Sequence, residues 1–203
     1  MARYGINTNN TLGISIYVLR TIAKQIGRND ALAGELWASG IHEARILASY
    51  ITTPAAISEA RIEEWVADFD SWDVCDQVCG LFEQTPYAYQ KANEWSARPE
   101  EFVKRAAFAL MAGLAVHDKH AEDGRFEQFF PIILHQASDD RNFVKKAVNW
   151  ALRNIGKRNR HLNDKALALA RQIQQINSKS ARWIAADALR ELTSEKIQSK
   201  LRD

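Results

Sequence analysis

Apolar and polar positions along this chain recur with the 3.6-residue period of an α-helix, and the two-residue alternation of a half-buried strand is almost absent. Apolar faces are carried by "LGISIYVLR" near the start, "IHEARILASY" at 41–50, "FVKRAAFAL" at 102–110 and "RWIAADALREL" at 182–192. Short polar stretches separate them, and "TTPAA", "EDGR" and "GKRNRH" read as turns. The four prolines, Pro54, Pro86, Pro99 and Pro131, fall at expected helix starts or boundaries, where a missing N–H costs least. The pattern predicts an all-α chain.

The helices also repeat one another. "FVKRAAFAL" aligns with "FVKKAVNWAL" at 143–152, 41 residues on, and "RWIAADALREL" restates the leading base and small-residue core one repeat later. Two helices per unit at this spacing fit a HEAT-like repeat solenoid, in which stacked antiparallel helix pairs share one continuous core. An irregular helical bundle is the alternative. In a solenoid the second helices line a concave surface, here expected to be a basic groove, and residues at matching repeat positions converge on it. One domain over residues 1–203 is expected.

Composition narrows this picture. With 46% hydrophobic and 26% charged residues the chain is ordinary for a soluble globular protein. No apolar run approaches the roughly 20 residues a membrane span needs, and "MARYGINTNN" lacks the apolar stretch of a signal peptide. The two cysteines, Cys75 and Cys79, sit four apart on one expected helix, are poor disulfide partners and read as small buried apolar residues. A cytoplasmic protein with free thiols is expected. His117 and His120 form an H-x-x-H pair without an evident third ligand, and no phosphate-binding glycine loop or nucleophile elbow occurs, so neither metal nor cofactor is expected. His42 and Glu43 read as helix surface and packing.

Charge is distributed unevenly. Residues 1–140 hold 12 Lys/Arg against 20 Asp/Glu, whereas residues 141–203 hold 15 against 5, for a net of +2 overall. Such a split points to a polyanion-binding C-terminal part, or to a solvated basic helix face.

Three helices carry candidate chemistry. In "SWDVCDQVCGLF" a helical wheel puts Val74, Val78, Leu81 and Phe82 on the buried arc, with Trp72 and Asp76 side by side just outside it. An indole beside a carboxylate at the margin of the core either caps that core or meets a ligand. In the almost wholly apolar helix at 102–116, Arg105 is the interruption, and a guanidinium in a dry place needs a carboxylate or a phosphate. Asp76 is one candidate partner, and a structural link between repeats explains Arg105 equally well. In the helix at 143–155, Lys145, Lys146, Asn149 and Arg153 share one arc bordered by Trp150, and the following turn adds Lys157, Arg158, Arg160 and His161. Cations beside an aromatic suit a nucleic acid, phosphates meeting the charges and a sugar or base meeting the ring.

Taken in order and spacing, "SWDVCDQ", "EFVKRAAFAL" and "NFVKKAVNWALRNIGKRN" resemble the HEAT-like DNA alkylation repair family, the alkylpurine DNA glycosylases, over roughly residues 10–195. The resemblance maps that family's tryptophan and key aspartate onto Trp72 and Asp76, its arginine onto Arg105 and its second tryptophan onto Trp150. It implies hydrolysis of the N-glycosidic bond of purines alkylated at N3 or N7. Double-stranded DNA is the expected partner of a monomer without metal or cofactor, and because Lys145, Lys146, Arg153, Lys157, Arg158 and Arg160 lie on one helix face and the turn after it, they are expected to reach its phosphates. Fuller members carry another helical pair before the first unit, whereas here "RYGI" stands close to "LGISIYVLR". That departure keeps a second expectation in view, a non-catalytic DNA-binding relative that recognises distorted or branched DNA. A third, a protein-interaction scaffold, leaves the basic C-terminal part without a purpose.

Overall fold

A computed structural model describes residues 5–201, so the first four residues, including "RY" of "RYGI", and the last two residues of the expected 1–203 span lie outside the described residues. Every regular element among the described residues is helical, and none of these helices is long and apolar enough to cross a membrane. The helices group into two compact units, divided between Ala88 and Tyr89.

The first unit holds α1 (Ile16–Ile26), α2 (Asp30–Ala38), α3 (His42–Ile51), α4 (Glu59–Ala67) and α5 (Trp72–Phe82). Ser15, Asn29 and Ser58 start α1, α2 and α4 by accepting the N–H of Val18, Leu32 and Arg61, as N-caps do. Gly27 ends α1 at φ 72°, a conformation only glycine adopts without strain. Helix α3 is the hub and packs against α1, α2 and α5. Trp37 of α2 and Trp65 of α4 stack at 4.1 Å, an arrangement contributing about 0.5–1.5 kcal/mol beyond the area it buries. The Trp37 indole N–H is satisfied by Asp68 at 2.8 Å.

Of the surface and packing roles expected of His42 and Glu43, packing is the one they fill, because both are buried. Glu43 accepts the backbone N–H groups of Leu12, Gly13 and Ile14 at 2.7–3.2 Å, which ties the segment before α1 onto α3. His42 pairs with Asp73 at 2.8 Å, and Ser71 donates to the same carboxylate at 2.8 Å. The first turn of α5 is thereby locked to α3.

The second unit holds the rest of α6 (Ala88–Ser96), then α7 (Glu101–His117), α8 (Gly124–Glu127), α9 (Phe130–Gln136), α10 (Asn142–Gly156), α11 (Arg160–Gln174), α12 (Lys179–Leu192) and α13 (Glu195–Gln198). The "EDGR" stretch is more than a turn, since Gly124 and Arg125 open α8. Helix α7 is buried almost continuously from Val103 to Ala115. Helix α10 packs on α7 and α12 packs on α10, so the three segments that repeat in sequence stack in chain order. Their partners α9 and α11 pack alongside. At the end of α10, Gly156 lets three helices approach closely: a Cβ there would lie 2.8 Å from Ala166 of α11 and 2.8 Å from Leu192 of α12.

Candidate functional site

Within the first unit, Trp72 and Asp76 both sit half-buried on α5, while Val74, Cys75, Val78, Cys79, Leu81 and Phe82 fill the core. Burial raises the Cys79 thiol pKa, with Cys75 adding to the effect, so Cys79 stays a neutral packing group. Of the two carboxylates on this stretch of α5, Asp73 is engaged by His42 and Ser71. Asp76 lines an open cleft of about 330 Å³ with Arg20, Arg28, Tyr50 and Gln77. Arg20 lies 5.9 Å from the Tyr50 ring centroid, and the Tyr50 hydroxyl bonds to Gln77. Arg28 donates to the carbonyls of Tyr50 and Thr52 and is held at the cleft by α3. The cleft therefore places one carboxylate among two guanidiniums and a phenol. Sequence reasoning missed Arg20, Arg28 and Tyr50, which sit 26 to 56 positions before Asp76 and outside the repeated motif.

Within the second unit, Arg105 is only 6% exposed and donates to the carbonyl of Phe143 at 2.7 Å. It thus holds the first turn of α10, the helix that carries the half-buried Trp150. The basic arc of α10 is not a row of free cations. Asn149 is buried and donates to Asp187 at 2.7 Å. Arg153 pairs with Asp187 at 3.4 Å and also with Glu191, and Lys157 reaches Glu191 at 2.9 Å. Burial alone would raise the Glu191 carboxyl pKa, yet Lys157 and Arg153 hold it below its ordinary value.

Arg158 departs furthest from the expectation of a phosphate contact. Its guanidinium donates to the carbonyls of Ala115, Asp118 and Ala121 at 2.8–3.2 Å and lies 4.0 Å from the Phe126 ring centroid. It fastens the loop after α7, because a guanidinium satisfies several carbonyls at once. Lys146 and Arg160 are exposed, and Lys145 is half-exposed with its ammonium 5.2 Å from the Trp183 ring centroid. The structure brings Lys145, Asn149 and Arg153 together with Trp183, Asp187 and Glu191, each 38 positions later. That offset matches the sequence repeat and was the signal by which the three α12 residues could have been found.

A family model described as "DNA alkylation repair enzyme" matches residues 1–192. No curated protein matches the chain. A solved structure from a family of proteins related to the HEAT-like repeat DNA glycosylases, with affinity for branched DNA structures, superposes with a TM-score of 0.77 at 20% identity, covering 94% of this chain and 86% of that one. A designed armadillo repeat protein superposes less well, with a TM-score of 0.41 at 15% identity over 87% of this chain and 92% of that one. The fold is a HEAT-like repeat of stacked helix pairs.

Proposed function

We propose that this chain, which belongs to the DNA alkylation repair enzyme family, excises N3- or N7-alkylated purines from duplex DNA by hydrolysing the N-glycosidic bond. The observation that carries the reading is Asp76 at the cleft wall, four residues from Trp72 on one helix and flanked by Arg20 and Arg28. An alkylated purine of this class is already cationic and leaves without a general acid. What needs stabilising is the positive charge that develops on the deoxyribose. A carboxylate about 4 Å away contributes on the order of 4 kcal/mol at an effective dielectric near 20, or about a thousandfold in rate.

Asp76 has two tasks in this reading, facing that charge and orienting the attacking water. The face of Trp72 adds roughly 0.5–2 kcal/mol of cation–π attraction. Arg20 suits a phosphate beside the lesion, while Arg28, held by the carbonyls of Tyr50 and Thr52, adds its charge to the cleft. Within the second unit, Arg105 holds the helix that carries Trp150 through the carbonyl of Phe143. Purified protein in excess over alkylated duplex releases free 3-methyladenine or 7-methylguanine, and Asp76→Asn lowers that release at least a hundredfold with DNA affinity nearly unchanged. Wild-type protein that releases no base overturns the reading.

One finding favours a second reading, DNA binding without excision. The solved structure that shares this fold belongs to proteins with affinity for branched DNA structures. The same assay, run beside a binding titration on junction and plain duplex DNA, separates the two. Tight junction binding with no released base selects the second.

A further inference from the structure

The contacts between α10 and α12 form a ladder of three rungs with one rung unlike the others. Asn149 and Arg153 meet the carboxylates of Asp187 and Glu191. One turn earlier, where the same spacing calls for another acid, Lys145 meets the indole of Trp183. The carboxylates offset the cations at the far end of the ladder, whereas nothing on the ring offsets the charge of Lys145. Lys145 and the exposed Lys146 stand near the start of α10, and the exposed Lys179 and Arg182 stand in the first turn of α12, beside Trp183 in sequence. Of the acids at this end, Asp139, whose carbonyl accepts from Ser180 of α12, is already held by Arg141 and Lys104, and the exposed Asp140 stands next to it. Trp183 is itself 41% exposed, although α12 has a full buried face in Ala181, Ile184, Ala185, Ala188 and Leu192. An indole that large on the solvent side of a helix contributes little to the core.

We infer that Trp183 is a stacking platform for an unpaired nucleobase of a DNA strand, with Lys145, Lys146, Lys179 and Arg182 holding the flanking phosphates. The inference rests on the DNA-binding part of the proposed function and adds which DNA feature is recognised, and where. A π face takes any base, and cations around it match the charge of the backbone on both sides of that base. A fully paired duplex offers the phosphates but no exposed base face, so it uses the lysines and arginine alone. A gap, a fork or a junction offers both.

The test compares binding of the intact protein to a labelled duplex and to the same duplex carrying a short single-stranded gap, at one salt concentration. Wild type binds the gapped DNA more tightly. Trp183→Ala removes that preference, weakening the gapped complex by about 5- to 150-fold, the range that base–aromatic stacking spans, while plain-duplex affinity stays within about twofold. Trp183→Phe keeps most of the preference. Equal loss on both DNAs, or no loss on either, overturns the platform while the DNA-binding reading stands. Wild-type protein that binds neither DNA overturns the DNA-binding reading and the platform together.

Discussion

His42 and Asp73 show how much a single pair sets at the candidate site, because their bond fixes the first turn of the helix that carries Trp72 and Asp76. Burial lowers the pKa of His42, but the hydrogen bond and charge of Asp73 outweigh it, with Glu43 and Asp70 adding in the same direction, and the net shift is upward. Burial likewise raises Asp73, and its bonds from His42 and Ser71 outweigh that, leaving it lowered. A raised histidine stabilises the fold fully below its unfolded pKa and loses that contribution as pH rises through its folded pKa. A lowered aspartate contributes above its unfolded pKa and loses it as pH falls through its folded one. The pair thus contributes most between about pH 4 and pH 6.5, the ordinary values of the two groups. Asp73→Asn is expected to cost roughly 1–3 kcal/mol there, with the deficit shrinking above pH 7. Urea unfolding of both proteins from pH 4.5 to 8.5 measures it, and a deficit that grows with pH contradicts the pairing.

Among the elements, α10 carries the most consequence, since it packs on α7, α11 and α12 and ends at Gly156. The space for a Cβ at Gly156 is occupied by Ala166, whose own Cβ has no rotamer to move, and by the fully buried Leu192. Gly156→Ala is therefore expected to destabilise by about 1–2 kcal/mol through overpacking, although alanine is the better helix former. For a chain of this size that corresponds to a Tm lower by about 2–8 °C, read by thermal circular dichroism. A variant as stable as wild type would mean that α11 and α12 do not close on α10 as described. The same helix shows where sequence reading stops. A wheel places Lys145, Asn149 and Arg153 on one face, but which neighbour that face meets depends on how the next repeat stacks. The acids that engage it lie 38 residues away on α12.

For the whole molecule, the excess of 10 positive charges in residues 141–203 is the long-range feature an anionic partner meets first. The salt dependence of DNA binding counts how many of those charges reach phosphates, at a log–log slope of about −0.9 per contact. Six candidate cations would give about −5 by that relation. Arg158 is committed to backbone carbonyls, and Arg153 and Lys157 share Glu191, so a slope of about −3 to −4 is expected. Glu191→Gln removes the charge that Arg153 and Lys157 share, leaving Arg153 its longer pairing with Asp187. It should tighten binding to all sequences alike and steepen the slope by up to about 2 units. Titration between 50 and 300 mM salt checks both outcomes. A Glu191→Gln slope equal to that of wild type would mean that neither cation reaches DNA.

The sequence alone determined the helices, their repeat and the placement of Trp72 and Asp76 at the edge of the core, because periodicity and wheel position are local properties of a chain with 3.6 residues per turn. It also determined that Cys75 and Cys79 pack inside and that Arg105 needs a partner. What Arg105 bonds in α10 was legible only in the fold, as were the burial of His42 and Glu43, the cleft that Arg20, Arg28 and Tyr50 share with Asp76, and the loss of Arg158 to the loop after α7. Each is a contact between residues far apart in the chain. A side chain's hydrophobicity says whether it seeks the interior, but the group that meets a buried charge is chosen by the packing of helices, which no local pattern encodes.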